Sequence, residues 1–137
     1  MFEIYAHNYR PIDDIPLGYQ GENLARCFIV DITDAVNEFG NSGEVDVRNQ
    51  RPGDTRPYYA TNVTTVTGAD AEGGVHTYIK WALTSADTTR AGKGFAQADY
   101  IINDVIAKSW VFRYEIAESL GVADDMPAPD EPEEPIE

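Results

Sequence analysis

Hydrophobic and polar residues alternate along two long stretches of this chain. In Val75–Leu83 the odd-numbered positions are mostly apolar, and in the stretch that begins at Val105 the even-numbered positions are. A period of two is typical of a β-strand with one buried face, whereas an amphipathic helix has a period of about 3.6. We therefore predict two strands. The side chains expected on the buried face of the second are Ile106, Lys108, Trp110, Phe112, Tyr114 and Ile116.

Further strands follow from the neighbouring patterns. Phe95–Ile102 is rich in β-prone residues and ends at the polar pair Asn103-Asp104, which predicts a hairpin with the strand from Val105. Ala25–Ile32 is a continuous apolar run, as expected for a central strand that is buried on both faces. Weaker strand signals cover Glu44–Arg48 and Tyr58–Thr67.

Glycines separate these runs at short intervals, and that spacing favours an antiparallel sandwich or barrel. Little helix is expected. Ile32–Phe39 predicts a short helical turn with Thr33 as its N-cap, because a Thr hydroxyl can accept from the free amides of a first turn. A second helical turn is predicted where Glu115–Gly121 frays. The predicted fold class is all-β: an antiparallel β-sandwich, Ig-like or jelly-roll-like.

Charge and proline divide the chain further. It has 24 acidic and 10 basic residues, a formal net charge of −14, and seven of the acids lie in the final segment DDMPAPDEPEEPIE. Such a segment cannot build a core, and its like charges keep it extended. We therefore predict an extended N-terminal arm (1–24), a β-sandwich domain (25–121) and an acidic, Pro-rich tail (122–137). The prolines and glycines near positions 11–21 are the basis for the arm.

The composition argues against several classes of protein. A strongly acidic chain is poorly suited to track phosphates, so no nucleic-acid partner is expected. No apolar run approaches the roughly 20 residues of a membrane-spanning helix, and the polar, alternating start MFEIYAHNYR does not resemble a secretory signal peptide. We expect no membrane partner and synthesis in the cytoplasm. A single Cys cannot form an internal disulfide.

Residues that could carry chemistry are few. His7 lies in a Tyr-rich segment and is interpreted as a packing or interface residue, and His76 as a solvent-facing strand residue. Cys27 lies in the most apolar strand, which predicts a buried thiol. Asp13-Asp14 lacks the spacing of a calcium loop. The Gly-rich stretch 90–94 lacks the spacing of a phosphate loop, and is interpreted as a bend where a neighbouring backbone or a neighbouring subunit approaches closely. We expect no catalytic residue, metal or cofactor.

Tyr and Arg are the residues that point to an interaction. The chain has eight Tyr, several of them in predicted loops or edges, and both residue types are favoured at protein–protein contacts. An arm such as residues 1–24 can also add a strand to the sheet edge of a neighbour. The alternative is that these Tyr only cover the ends of the sandwich. Arg26, Arg51 and Arg56 are candidate forks to carboxylates of the same chain or of a neighbour. The candidate interface residues are Tyr5, Tyr9, Arg10, Tyr19, Arg26, Arg51, Arg56, Tyr58 and Tyr59.

Five segments follow one another along the chain: GYQGENLAR (Gly18–Arg26), NQRPGD (Asn49–Asp54), WALTSADTTRAGKGFAQADY (Trp81–Tyr100), AKSWVF (Ala107–Phe112) and ESL (Glu118–Leu120). This order resembles a small domain at the N-terminus of head-fibre, tail-fibre and baseplate-upper-like proteins of tailed phages and prophages of Gram-positive bacteria. The resemblance covers roughly the first 120 residues. It implies an anchoring β-sandwich that docks on a capsid or baseplate, usually with oligomeric partners.

These observations lead to one expected function and two alternatives. The first is a non-enzymatic virion protein that binds the outer capsid surface as a decoration or head-fibre-type protein. In the proteins that this chain resembles, a linker rich in Pro and Glu leads into a coiled coil or fibre shaft, whereas no heptad repeat follows APDEPEEPIE here. Its expected partners are the major capsid protein, other virion proteins and its own copies, with a trimer preferred because capsids offer threefold positions. The alternatives are a baseplate or tail-fibre anchor, and a carbohydrate-binding module. The last would have a concave pocket lined by Trp and Tyr with convergent polar groups.

Overall fold

The computed structural model describes residues 1–120, and these fold into a β-sandwich of two sheets with one short helix. The predicted tail (122–137) and the end of the predicted sandwich domain at position 121 lie outside the described residues. The strands are β1 Phe2–Tyr5, β2 Asp14–Tyr19, β3 Arg26–Asp31, β4 Glu44–Gln50, β5 Tyr58–Tyr59, β6 Val63–Ala69, β7 Val75–Ala82, β8 Gly92–Ile102 and β9 Val105–Ala117. A 3₁₀ turn covers Ala6–Asn8, and the helix α1 covers Thr33–Phe39.

Each sheet is mixed rather than purely antiparallel. The four-stranded sheet has the order β1-β3-β7-β6, and the five-stranded sheet has the order β2-β9-β8-β4-β5. β1 pairs in parallel with β3, and β2 pairs in parallel with β9; the other pairs are antiparallel. The chain crosses from one sheet to the other between β1 and β2 and returns for β3. These crossovers replace the tight hairpins that would make neighbouring strands antiparallel. The all-β sandwich is confirmed, but the purely antiparallel arrangement is wrong.

The core lies between the sheets, and its centre is formed by residues of the predicted alternating strands. Ile79 and Trp81 on β7 and Tyr114 and Ile116 on β9 are almost fully buried. The Phe28 ring meets the rings of Trp81 and Phe112 edge-on, with centroids 6.5 and 4.9 Å apart. Edge-to-face contacts of this kind add to the free energy gained by burying the rings. The predicted buried face of β9 therefore exists at its C-terminal end, whereas Trp110 and Phe112 are only partly buried and Ile106 is 50% exposed.

The hairpin and the central strand are confirmed. Asn103 and Asp104, with φ of 51° and 63°, connect β8 to β9. Positive φ at both central residues is what a type I′ turn requires, and Asn and Asp tolerate that conformation. β3 lies between β1 and β7 and is buried on both faces from Cys27 to Val30.

The close approach predicted for the glycine-rich stretch 90–94 is present, but residues 92–94 lie in β8 and do not form a bend. A side chain at Gly94 would place a Cβ 2.5 Å from the Tyr114 ring system and 2.8 Å from the Gln50 carbonyl oxygen. A real Cβ cannot approach other atoms so closely, so glycine is required where β8 passes its neighbours. The close approach that the glycine-rich stretch predicted is therefore real, and it is made within the chain.

Four sequence predictions differ from the structure. Residues 1–24 do not form a free arm, because they contain β1 and β2, which pair with β3 and β9. Tyr58–Thr67 is two strands rather than one, since the chain turns there from the five-stranded into the four-stranded sheet. Thr33 is the first residue of α1, and the N-cap position is Ile32. Glu115–Ala117 stays in β9 because β2 and β8 hold it in the ladder.

Candidate binding groove

An open apolar groove of about 290 Å³ lies where the N-terminal segment crosses from one sheet to the other. We define the groove by its apolar wall, which consists of Ala6, Tyr9, Pro11, Ile15, Val30, Trp110 and Phe112. The 3₁₀ turn and the segment before β2 form one side, β3 forms the floor, and β9 forms the other side. Two of the predicted interface residues, Tyr9 and Arg10, lie at this groove.

The aromatic side of the groove is held in place from behind. Phe112 packs edge-on against Phe28 of the core. The Lys108 ammonium lies 5.7 Å from the centroid of the Trp110 ring, a distance at which a cation is attracted to an aromatic face. Both rings project inward from β9, but the short β1 and the crossover leave the sandwich open over them. The sequence predicted their inward direction correctly, and placed them in a closed core because the alternation does not show where the sandwich opens.

The charges around the groove are already paired within the chain. Arg10 Nη2 lies 3.2 Å from Asp13 Oδ1, and the Arg10 backbone amide donates to Asp13 Oδ2 at 2.8 Å. Asp14 makes two further ion pairs of 3.0 Å, with Lys93 and with Arg113. The hydrogen bond from Lys93, followed by the field of Arg113, holds the pKa of Asp14 below its usual value. Since these charges satisfy one another, the groove offers an apolar surface with a polar border.

A second cluster joins three parts of the chain around His76. Its Nδ1 lies 3.0 Å from Asp31 Oδ2 at the end of β3, and its Nε2 lies 2.8 Å from Asp70 Oδ2 in the turn after β6. The imidazole also stacks on Tyr78. Hydrogen bonds to Asp70 and then to Asp31 raise the pKa of His76. We refer to this arrangement of His76, Asp31 and Asp70 as the histidine clamp. It is partly exposed, as predicted. Asp70 lies only six positions from His76, but Asp31 lies 45 positions away, and no sequence pattern connects it to His76.

The groups around the histidine clamp already have hydrogen-bond partners within the chain. The Thr33 hydroxyl donates to Asp31 and accepts from the Thr77 amide at 3.0 Å. Burial acts to raise the pKa of Asp31, but the bonds from Thr33 and His76 outweigh it and lower that pKa. The Thr33 hydroxyl thus joins the end of β3 to β7.

Arg51 is buried rather than displayed at an interface. Its side chain is 2% exposed, and its Nε and Nη2 donate to Asp54 at 3.0 and 3.3 Å in the predicted fork. Arg90 pairs with the same carboxylate, and Arg51 Nη1 donates to the Ala86 carbonyl at 3.1 Å. The segments NQRPGD and WALTSADTTRAGKG therefore meet in one buried polar corner. The fork prediction is correct for a carboxylate of the same chain, and the exposed role of Arg51 is wrong.

Tyr58 is buried beside this corner and also cannot contact a partner. Its hydroxyl donates to Asp87 and accepts from Asn49 Nδ2 at 2.8 Å, and Tyr114 donates to Asn49 Oδ1 at 2.6 Å. Burial is the main reason that the pKa of Tyr58 and of Tyr114 is raised. The sequence around Tyr58 shows only two adjacent tyrosines in a loop-like segment, so the burial of Tyr58 beside β4 was not predictable from it.

The remaining candidate interface residues are distributed over the surface. Tyr19, Arg56 and Tyr59 are exposed. Arg26 is partly buried in an ion pair of 3.2 Å with Glu22, its guanidinium 5.5 Å from the Phe2 ring centroid. Tyr5 is partly buried, and its bond to Glu3 is the main reason that its pKa rises to about 12. The structure therefore does not bring the nine predicted residues together on one face.

Cys27 is a buried residue, as predicted. It is 0% exposed, and burial raises the pKa of its thiol.

Within residues 1–120, no three or more His, Cys, Asp and Glu side chains are arranged to hold a metal ion. No helix in that part of the chain is both long and apolar enough to span a bilayer. No family model matches this chain, and no curated protein matches it.

Proposed function

We propose that this protein is a non-enzymatic structural component of a tailed-phage virion, and that it binds the outer capsid surface as a decoration or head-fibre-type protein. Two observations support the proposal. The first is the resemblance of roughly the first 120 residues to anchoring domains of virion proteins. The second, which carries the most weight, is the groove with its aromatic wall and its paired border charges. The major capsid protein is the proposed partner, the virion the proposed location, and an Ig-like or jelly-roll-like sandwich the proposed architecture.

The chemistry of the groove indicates what it would take from the partner. Aromatic residues and Arg dominate the strongest positions of protein–protein interfaces, because they offer large rigid contact area that excludes water. Tyr9, Trp110 and Arg10 provide such residues at one opening. The space fits an aromatic or branched aliphatic side chain of the capsid protein. The Arg10–Asp13 pair would lie at the border of that contact and exclude solvent from it.

A carbohydrate-binding module is the second candidate, because the groove is concave and contains both a Trp and a Tyr. Sugars also need several free donors and acceptors. Here Arg10, Asp13 and Arg113 are engaged with one another or with Asp14, so the apolar protein side chain is the better fit. A glycan array separates the two, since specific glycan binding that Tyr9→Ala removes would favour the sugar. A baseplate or tail-fibre anchor would use the same groove on a different virion protein.

The test compares two Tyr→Ala variants for binding to particles of the parent phage that lack this protein. Tyr9→Ala removes part of the groove wall, and Tyr59→Ala removes a ring that is 55% exposed and lies outside the groove. We expect Tyr9→Ala to weaken binding about tenfold or more, as for a hot-spot residue, and Tyr59→Ala to bind like the wild type. Equal binding by both variants, with both folded by circular dichroism, would contradict the role of the groove.

A further inference from the structure

The four edge strands of the sandwich differ in how far they are protected against pairing. β1 has four residues and carries Glu3, and β5 has two residues. β2 contains Pro16 and an irregularity between Pro16 and Tyr19. Short length, charge, proline and bulges are the usual devices that prevent one sheet edge from joining another. Three edges therefore carry such a device.

β6 carries none of them. It has seven residues, VTTVTGA, with no charged side chain and no proline, and its register with β7 is regular from end to end. It is also exposed along almost its whole length. A long, flat, uncharged edge of this kind is a template for another strand.

The register shows which backbone groups of β6 point to the free side. Ala82 donates to the Asn62 carbonyl, and Asp70 donates to the Gly74 carbonyl, so the even-numbered residues of this segment face β7. In an antiparallel ladder the intervening residues face away from the partner strand. The amides and carbonyls of Val63, Thr65, Thr67 and Ala69 therefore face outward, and within residues 1–120 no backbone partner accepts from or donates to them.

We propose that the β6 edge binds the β6 edge of a second copy of this chain, antiparallel and about a twofold axis at Val66. In this register Thr65 pairs with Thr67 of the second copy and Val63 pairs with Ala69, so every outward-facing residue is used. The two four-stranded sheets become one continuous sheet. The closed pair is a dimer, and it replaces the trimer that capsid symmetry favours.

Charge and packing make a second copy the fitting occupant. The net charge of −14 opposes self-association, so two copies can meet only at a contact where no like charges face each other, and β6 has no charged side chain. In this register Asp70 lies opposite the neutral Asn62 of the second copy, so no like charges face each other in the ladder. The outer face of the sheet beside Val66 has a hollow of about 220 Å³ lined by Tyr5, Ile29 and Tyr78, together with the charged Glu3 and Lys80. The paired Val66 side chains would extend the apolar part of this surface.

The test uses opposite charges at the twofold axis. Val66 is 44% exposed, so Val66→Lys and Val66→Glu should fold, which circular dichroism and thermal unfolding would check. Val105→Lys, at a residue 66% exposed in the hairpin far from β6, is the matched control. We expect light scattering after size exclusion to give a mass of two 15.2 kDa chains for the wild type and the control, and of one chain for each Val66 variant.

Mixing Val66→Lys with Val66→Glu gives the sharper result. Only a twofold axis at Val66 places the Lys of one chain opposite the Glu of the other, so the mixture should recover the dimer that each variant alone has lost. A monomeric wild type over the accessible concentration range would overturn the proposal. So would a Val66→Lys variant that remains a dimer, a trimeric mass, or a mixture that stays monomeric while the wild type dimerises.

Discussion

Asp46 and Asp99 lie directly opposite each other in the β4–β8 ladder, so their carboxyl groups are neighbours on one face of the five-stranded sheet. Asp99 is almost fully buried although it lies on the outer face of the five-stranded sheet. Burial alone would raise its pKa, but bonds from Ser109 and Gln97 and the ion pair with Arg48 at 3.0 Å lower it. Burial and the charge of Asp99 instead raise the pKa of Asp46 to about 6. Asp99 is therefore ionised at a lower pH than Asp46.

Asp46→Asn should stabilise the protein above pH 6. Because the pKa of Asp46 is higher in the folded state than its ordinary value of 3.8, the folded state gains stability below that value and loses it as the pH rises towards 6. Asn mimics the protonated acid, so the gain should be about 1–2 kcal/mol at pH 7.5 after allowance for solvent screening, and near zero at pH 4.

Urea unfolding at both pH values measures this difference. Asp104→Asn, in the exposed hairpin turn, is the control and should leave the pH profile of stability unchanged. A loss of stability in Asp46→Asn at pH 7.5 would contradict a raised pKa of Asp46 in the folded state.

The histidine clamp should make stability fall as the pH rises through neutrality. The pKa of His76 is raised in the folded state, so its contribution is complete below its ordinary value of 6.5 and disappears as the pH rises through the folded value. Asp31 and Asp70 have lowered pKa values, so their contribution disappears on acidification below about 3.8. The histidine clamp is therefore strongest between these limits.

His76→Gln should lower the melting temperature at pH 5.5 and have a smaller effect at pH 8.5. His7→Gln, at an exposed residue beside the Tyr5 ring, is the control and should show no such dependence. Differential scanning calorimetry across this range gives the comparison. An equal destabilisation of His76→Gln at both pH values would show that the ring acts by packing alone.

Tyr58→Phe should destabilise the fold although it removes a single oxygen. The hydroxyl satisfies Asp87 and Asn49, both buried, and a buried polar group without a partner costs about 1–3 kcal/mol. Tyr59→Phe, at the exposed neighbour, should change the unfolding free energy by less than about 0.5 kcal/mol. If both variants unfold at the same urea concentration, the buried network does not contribute in this way.

Gly94→Ala should cost about 1–3 kcal/mol, the usual range for forcing a group into a filled space. The added Cβ would meet both the Tyr114 side chain and the Gln50 backbone, and the backbone cannot move aside easily. Gly68→Ala is the matched change, since a Cβ there meets nothing within 4 Å. Thermal unfolding should therefore separate the two variants, and a stable Gly94→Ala would contradict the close approach.

The local patterns of the sequence predicted the strands and the hairpin well. Alternation is a property of neighbouring residues, so β7 and the inward face of β9 were evident before any tertiary contact was known. Asn103 and Asp104 are residue types that tolerate the positive φ of a type I′ turn, so the turn was also predictable from local sequence. The parallel pairing of β1 with β3 and of β2 with β9 was not predictable in this way, because it depends on where the chain crosses between the sheets.

The candidate site was less predictable for the same physical reason. Tyr9 and Arg10 were found because their residue types favour interfaces, while Trp110 looked like a core residue, as its inward direction required. Arg51 and Tyr58 have the same types as Arg10 and Tyr9, but tertiary contacts with Asp54 and Asp87 bury them. Residue type alone does not separate a displayed Tyr or Arg from one that closes a buried network.

The most direct test of the proposed function is the copy number of this protein in purified phage particles, measured by quantitative mass spectrometry against the major capsid protein. A decoration protein on the outer shell should be present at a copy number comparable to that of the major capsid protein. A far smaller number, matching the tail or baseplate proteins, would move it to the alternative anchoring role. Its absence from particles that are otherwise complete would contradict the virion account.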